Sequence, residues 1–177
     1  AGQNVGARKL KRINKGLVRS SVLGITYSLL ALLLVTLFAN PMLQLFIGDG
    51  DASILADARQ FVVTNVSFYA SLVFVQVVRF SIQGMGFSKQ AVFAGVFELV
   101  ARTVAGMVLI PIFGFAAVGY ASPLAWIAAD LFLFPAYFWA MRKLKKQQME
   151  KAARTGKCIS PDQVNVPFAL DLRMSEK

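Results

Sequence analysis

The sequence predicts an all-α protein, a polytopic membrane helix bundle with about four transmembrane helices. Hydrophobic residues make up 56% of its 177 positions and charged residues only 16%, a balance that is unusual for a soluble domain. Most of the 19 Lys and Arg residues lie before residue 20 or after residue 141. Long apolar runs therefore separate two basic ends, as is typical of membrane-spanning helices.

The first two spans are predicted at about 17–39 and about 60–83. The chain carries no charge from Ser20 to Gly48, and roughly 20 apolar residues are enough to cross the hydrocarbon core of a bilayer as a helix. An acidic segment rich in turn residues ends this run. A second uncharged run then fills most of the next span.

The third and fourth spans are predicted at about 90–113 and about 117–142, with Gly114 in the short connection between them. Proline inside a membrane helix is tolerated because neighbouring helices satisfy the backbone groups that it frees. The fourth span can therefore stay helical through Pro123 and Pro135.

The connecting segments alternate in their content of Lys and Arg, and the segments at the two ends of the chain are the most basic. Basic loops stay in the cytoplasm, so we expect a multi-pass protein of the cell inner membrane, surrounded by membrane lipid, with both termini cytoplasmic. Residues 1–16 are predicted to form a cytoplasmic loop and residues 146–177 a cytoplasmic tail, mobile from about 155. Because the chain starts at Ala1 without Met, we expect a longer parent protein.

The residue types that carry most enzyme chemistry are scarce. Histidine is absent and Cys158 is the single cysteine, which argues against metal sites and Cys-His nucleophiles. The basic residues stand outside the apolar runs instead of alternating with aromatics, which argues against nucleic acid as a partner. We therefore expect neither an enzyme nor a resident metal or cofactor.

Two stripes of small side chains recur at every fourth residue, a spacing that lets another membrane helix come close. The stripes consist of Ala117, Ala121, Ala125 and Ala129 in the fourth span and of Ser20, Gly24 and Ser28 in the first. Ordinary helix packing explains both.

Nearly all strongly polar side chains of the second span share one face at 100° per residue. The face consists of Asn65, Tyr69, Leu72, Gln76, Arg79 and Gln83. Two interpretations stay open. The face lines a water-accessible cavity that binds substrate or ions, or it joins helices by hydrogen bonds.

Two charges of the third span, Glu98 and Arg102, stand at positions i and i+4, a spacing at which the side chains meet. A single charge at the centre of a spanning helix costs about 2.5–3.5 kcal/mol on insertion scales. We therefore predict a structural ion pair.

Asp130 has no base within one helical turn, and it shares a helix face with Pro123, Trp126 and Tyr137. A carboxylate beside aromatic rings in a partly dry pocket attracts organic cations, and it can also take up a proton. The alternative is a hydrogen bond from Asp130 to a neighbouring helix outside this chain.

Five segments together resemble the multidrug and toxic compound extrusion (MATE) transporters and follow the order of that family. They are GQNVGA at 2–7, QGMGFSK at 83–89, FELVAR at 97–102, FGFAAVG at 113–119 and ASPLAWIAAD at 121–130. The resemblance covers about residues 1–145.

The resemblance implies two six-helix lobes that export organic cations in exchange for sodium ions or protons. This chain would supply the last four of the twelve helices, within the C-terminal lobe. Its partners would be the N-terminal helices of the same transporter, and we expect no transport by the chain alone because alternating access requires both lobes. Some sodium-coupled members carry an acid one turn after the tyrosine that matches Tyr69; Val73 stands there in this chain.

Two other functions remain possible from the residues. A lipid or polysaccharide flippase of the same superfamily would be expected to have a large basic cavity, whereas Arg79 and Arg102 are the only bases inside the last three spans apart from Arg142, the last residue of the fourth. A membrane scaffold subunit that does not transport would use its polar faces only for contacts between helices.

Overall fold

The computed structural model describes residues 1–47 and 52–155, and within these residues all regular structure is helical, as predicted. The helices are α1 (Gly2–Gly6), α2 (Leu10–Ile47), α3 (Ala52–Ser67), α4 (Tyr69–Gly84), α5 (Ser88–Phe113) and α6 (Phe115–Thr155).

The helices of the described part of the chain support a polytopic membrane bundle. Three of them, α2, α5 and α6, are each long and apolar enough to cross a membrane. Helices α3 and α4 meet the same criterion together, with a bend of 45° between them. By length and composition, the described residues thus contain three helices able to span a membrane, or four when the bent pair counts as one span.

The helices of the first and fourth predicted spans, α2 and α6, are longer than predicted. Helix α2 begins at Leu10 instead of about 17, and α6 continues to Thr155 instead of ending near 142. The extensions carry buried apolar side chains, since Leu10 and Leu144 both belong to the main core cluster. Ten residues of the predicted tail are therefore helical, and its remainder lies outside the described residues.

The predicted second span is broken at Phe68, which separates α3 from α4. The Phe68 backbone N–H donates to the Asn65 carbonyl (3.2 Å), and the Ser71 N–H donates to the Phe68 carbonyl (3.0 Å). These i→i−3 bonds tighten the turn at the break. No glycine or proline marks it in the sequence, so hydropathy alone predicted one continuous helix.

Small residues let the helices approach closely, as the two stripes predicted. Ala125 and Ala129 of α6 are fully buried. On α2, a Cβ built at Gly24 would lie only 2.5 Å from a Val73 methyl group on α4. Close backbone approach through small residues is the usual basis of helix association in membranes.

The turn between α5 and α6 requires a glycine. Gly114 alone connects α5 to α6, with φ +63° and ψ −145°. This backbone region is almost inaccessible to residues with a side chain. Gly114 therefore lets α5 and α6 pack as an antiparallel pair.

At one end of the bundle, α1, the connection between α4 and α5, and the last turns of α6 come together. We call this the basic end. A Cβ at Gly2 would come within 2.9 Å of the Gly84 carbonyl oxygen. The Lys143 ammonium lies 4.8 Å from the ring centroid of Trp139 and 5.6 Å from that of Phe87, within the range of cation–π attraction.

Gly24→Ala is expected to lower the free energy of unfolding by about 1–3 kcal/mol, the usual cost of overpacking. The reason is that the two methyl groups of the β-branched Val73 occupy the space a new Cβ needs. Unfolding of the purified chain in mixed detergent micelles measures the effect.

Gly16→Ala is the matched control on the same helix, because its Cβ would meet no atom within 4 Å. It should leave stability unchanged or raise it slightly. Val73→Ala should restore stability to the Gly24→Ala variant. Equal effects of the two glycine substitutions would contradict the close α2–α4 contact.

Candidate functional site

A carboxylate lies in the contact between α4 and α6. The Ser71 hydroxyl of α4 donates a hydrogen bond of 2.7 Å to Oδ2 of Asp130 on α6. Sequence analysis left the partner of Asp130 open and considered a helix outside this chain. The structure places a partner within the chain.

Aromatic pairs lie on both sides of this hydrogen bond along the two helices. Tyr69 contacts Trp126 edge-on, with ring centroids 6.2 Å apart. Phe74 contacts Phe134, with ring centroids 5.9 Å apart. From Tyr69–Trp126 through Ser71–Asp130 to Phe74–Phe134, the residue numbers on α4 and on α6 increase together. The two helices therefore run in the same direction. We call this set the Asp130 seam: Tyr69, Ser71, Phe74, Trp126, Asp130 and Phe134.

The second carboxylate oxygen of Asp130 has no hydrogen-bond donor among the residues that the structure describes. This oxygen, Oδ1, is buried. No Lys or Arg of the described part of the chain forms an ion pair with Asp130. A buried acceptor without a partner costs about 1–3 kcal/mol, and more when it is charged. A proton at Oδ1 would lower that cost by removing the negative charge, and a bound cation would supply the missing partner.

The polar face predicted for the second span is divided among several neighbours. Asn65 donates to the Gly119 carbonyl of α6 (3.3 Å) and to the Phe61 carbonyl of its own helix (3.0 Å). Gln76 is exposed, in a shallow depression that it shares with Ser20 of α2. Of the polar residues on that face, only Tyr69 contributes to the Asp130 seam.

Arg79, also on the predicted face, forms part of a charge triad with Glu98 and Arg102. The two oxygens of Glu98 accept hydrogen bonds from Nη2 of Arg79 (2.7 Å) and from Nη2 of Arg102 (3.1 Å). The expected contact between Glu98 and Arg102 is present, and Arg79 of α4 adds a bridge between helices. This bridge could not be inferred from spacing along one helix.

The two aromatic residues predicted beside Asp130 have different partners. Trp126 is buried and contacts Tyr69 in the seam. Tyr137 donates a hydrogen bond of 2.6 Å to Oδ1 of Asn14 on α2. Tyr137 therefore joins α6 to α2 near the basic end.

Sequence analysis missed three members of the seam, Ser71, Phe74 and Phe134. A hydroxyl in an otherwise apolar stretch was a usable signal for Ser71. The two phenylalanines look like lipid-facing residues in the sequence, and only the packing of α4 on α6 shows their contact.

Ser71→Ala is expected to lower the free energy of unfolding by about 1–3 kcal/mol, because Asp130 then has no donor for either oxygen. Ser71→Thr retains the hydroxyl and should restore most of the stability. Unfolding in mixed detergent micelles measures both variants.

Ser67→Ala is the control, since the Ser67 hydroxyl donates only to the Val63 carbonyl of its own helix (2.7 Å). It should have little effect. A double-mutant cycle with Asp130→Ala isolates the pair. Additive losses in that cycle would show that the Ser71–Asp130 hydrogen bond does not contribute to stability.

A family model described as MatE matches residues 1–108. The match extends from α1 into α5 and includes Ser71 and the charge triad. Asp130 lies beyond it. No curated protein and no solved structure matches the chain.

Proposed function

Because this chain belongs to the MatE family of membrane transporters, we propose that it forms part of a cation-coupled multidrug antiporter that exports organic cations. The observation that carries the proposal is the Asp130 seam, in which a carboxylate lies between two aromatic pairs and one of its oxygens receives no hydrogen bond from the described residues. The coupling ion is sodium or a proton.

The chemistry of the seam suits an organic cation. A carboxylate supplies the counter-charge, and aromatic faces attract the positive charge of an ammonium group. The site is partly buried, where such attraction is stronger than in bulk water.

The same carboxylate can provide the coupling. A proton or sodium ion on Oδ1 neutralises Asp130, so a positively charged substrate loses its counter-charge there. Binding of the coupling ion and binding of the substrate then exclude one another at one group. Exclusive binding in this manner is what exchange in opposite directions requires.

A second acidic site on α4 is absent from this chain. Val73, one turn after Tyr69, packs its methyl groups against Gly24 of α2. That position cannot supply an ion ligand, which leaves Asp130 on the adjacent helix as the carboxylate next to Tyr69 and Trp126.

The basic end supports a topology with this end in the cytoplasm. It carries the basic residues of early α2 and of the last turns of α6, and basic segments are retained on that side. Both ends of the chain would then be cytoplasmic, in the cell inner membrane. Further helices of the same transporter complete the cavity, so the chain alone is not expected to transport.

The two alternative functions have less support at the seam. The basic side chains Arg79 and Arg102 both contact Glu98, which reduces the positive charge that a flippase would offer an anionic headgroup. A scaffold function is favoured by one observation, because Asn65 and Tyr137 serve contacts between helices.

Asp130→Asn in the assembled transporter is expected to reduce efflux of tetraphenylphosphonium at least tenfold and to abolish its dependence on an imposed sodium or proton gradient. Asp130→Glu should retain part of both. Everted membrane vesicles with fixed gradients measure the initial rates.

Asp57→Asn is the matched control, an exposed acid on α3 away from the seam, and should transport normally. Unchanged efflux and unchanged ion dependence in Asp130→Asn would remove Asp130 from the mechanism. A combined substitution of Asn65, Gln76 and Asp130 separates transporter from scaffold: loss of flux with intact assembly supports transport, and loss of assembly supports a scaffold.

A further inference from the structure

The charge triad holds more positive than negative charge. One carboxylate, Glu98, pairs with two guanidinium groups, Arg79 and Arg102. At a rise of roughly 1.5 Å per residue, Glu98 and Arg102 each lie about 15 Å or more from either end of α5. The hydrocarbon core is about 30 Å thick, so the excess charge is near its middle.

The face of α5 around Arg102 is apolar, and the described part of the chain leaves it uncovered. The buried residues of α5 are alanines, Ala91, Ala94 and Ala105. The Arg102 side chain remains 48% exposed. Large apolar side chains of α5 with at least half of their surface exposed are Val92, Phe93, Leu99, Val100, Val104, Met107, Val108, Ile112 and Phe113.

Lipid alone does not suit this face. Acyl chains offer no counter-charge, and headgroups lie about 15 Å away at the edge of the core. The described acids do not compensate it either, since Asp130 bonds to Ser71 in the α4–α6 contact. A second copy of the chain would bring another positive triad to the same depth.

We propose that the exposed face of α5 docks an apolar membrane helix that carries one carboxylate at the depth of Arg102. The remaining N–H groups of Arg102 would bind both oxygens of that carboxylate, the geometry that a guanidinium group favours. The triad would then become a neutral cluster of two bases and two acids. This inference rests on charge and exposure and does not depend on the transported substrate.

The test uses a synthetic helix of leucine and alanine, about 20 residues long, with one central Glu, and a matched peptide with Gln. The full chain carries an energy-transfer acceptor on Cys158, its only cysteine, and is reconstituted in phosphatidylcholine vesicles. Energy transfer from donor-labelled peptide should show about fivefold to thirtyfold tighter binding of the Glu peptide. Arg102→Gln should abolish this preference.

Two variants keep the test decisive. Arg142→Gln, which removes an exposed base at the basic end, should retain the preference. Arg102→Glu should reverse it in favour of a peptide with central Lys, which distinguishes a lost partner from a misfolded chain. Far-UV circular dichroism checks that each variant keeps its helical content.

Equal binding of the Glu and Gln peptides by the unmodified chain would overturn the proposal, as would an unchanged preference in Arg102→Gln. Vesicles with phosphatidylglycerol test the lipid alternative. If this lipid abolishes the Glu preference of the unmodified chain, a headgroup occupies the surface and the proposal is wrong.

Discussion

Charged side chains inside apolar helices need a charged or hydrogen-bonding partner, and this requirement ties α4 to α5 and to α6. Arg79 of α4 reaches Glu98 of α5 at 2.7 Å. Ser71 of the same helix reaches Asp130 of α6 at 2.7 Å. An unpaired charge at these positions is far more costly in hydrocarbon than in water, so the two contacts restrict how α4, α5 and α6 can be arranged.

Small residues then decide how closely the helices approach. Gly24 accommodates Val73 where α2 crosses α4, and Gly119 accommodates Thr64 where α6 meets α3. The bend at Phe68 turns α3 and α4 by 45° relative to each other. It thereby allows α4 to pack on α2 and α3 to pack on α6 within one span. The polar residues on either side of the bend consequently have different neighbours.

The fold class could be predicted from the sequence because the length of a helix that crosses hydrocarbon fixes the length of an uncharged run. The helix ends that extend beyond the hydrocarbon could not be predicted in this way, because Leu10 and Leu144 are helical through burial against other helices. The break at Phe68 also left no trace, as neither glycine nor proline stands there.

The candidate site was predictable only in part. Asp130 was identifiable as an acid without a base nearby in sequence, and Glu98 with Arg102 as neighbours on one helix. Ser71 and Arg79 act across helix boundaries. Periodicity along a single helix contains no information about such partners, because it fixes a direction around the axis and not the helix that lies there.

The two contacts of α4 differ in strength, and the difference suits the proposed function. Arg79 and Glu98 carry opposite full charges, whereas Ser71 is a neutral donor to Asp130. A charge-assisted contact with both partners ionised is the stronger one. When a cation binds to or leaves Asp130, the α4–α6 contact can therefore change while α4 stays attached to α5. This combination is consistent with the proposed function, because the α4–α6 contact would change when a cation binds and the α4–α5 contact would not.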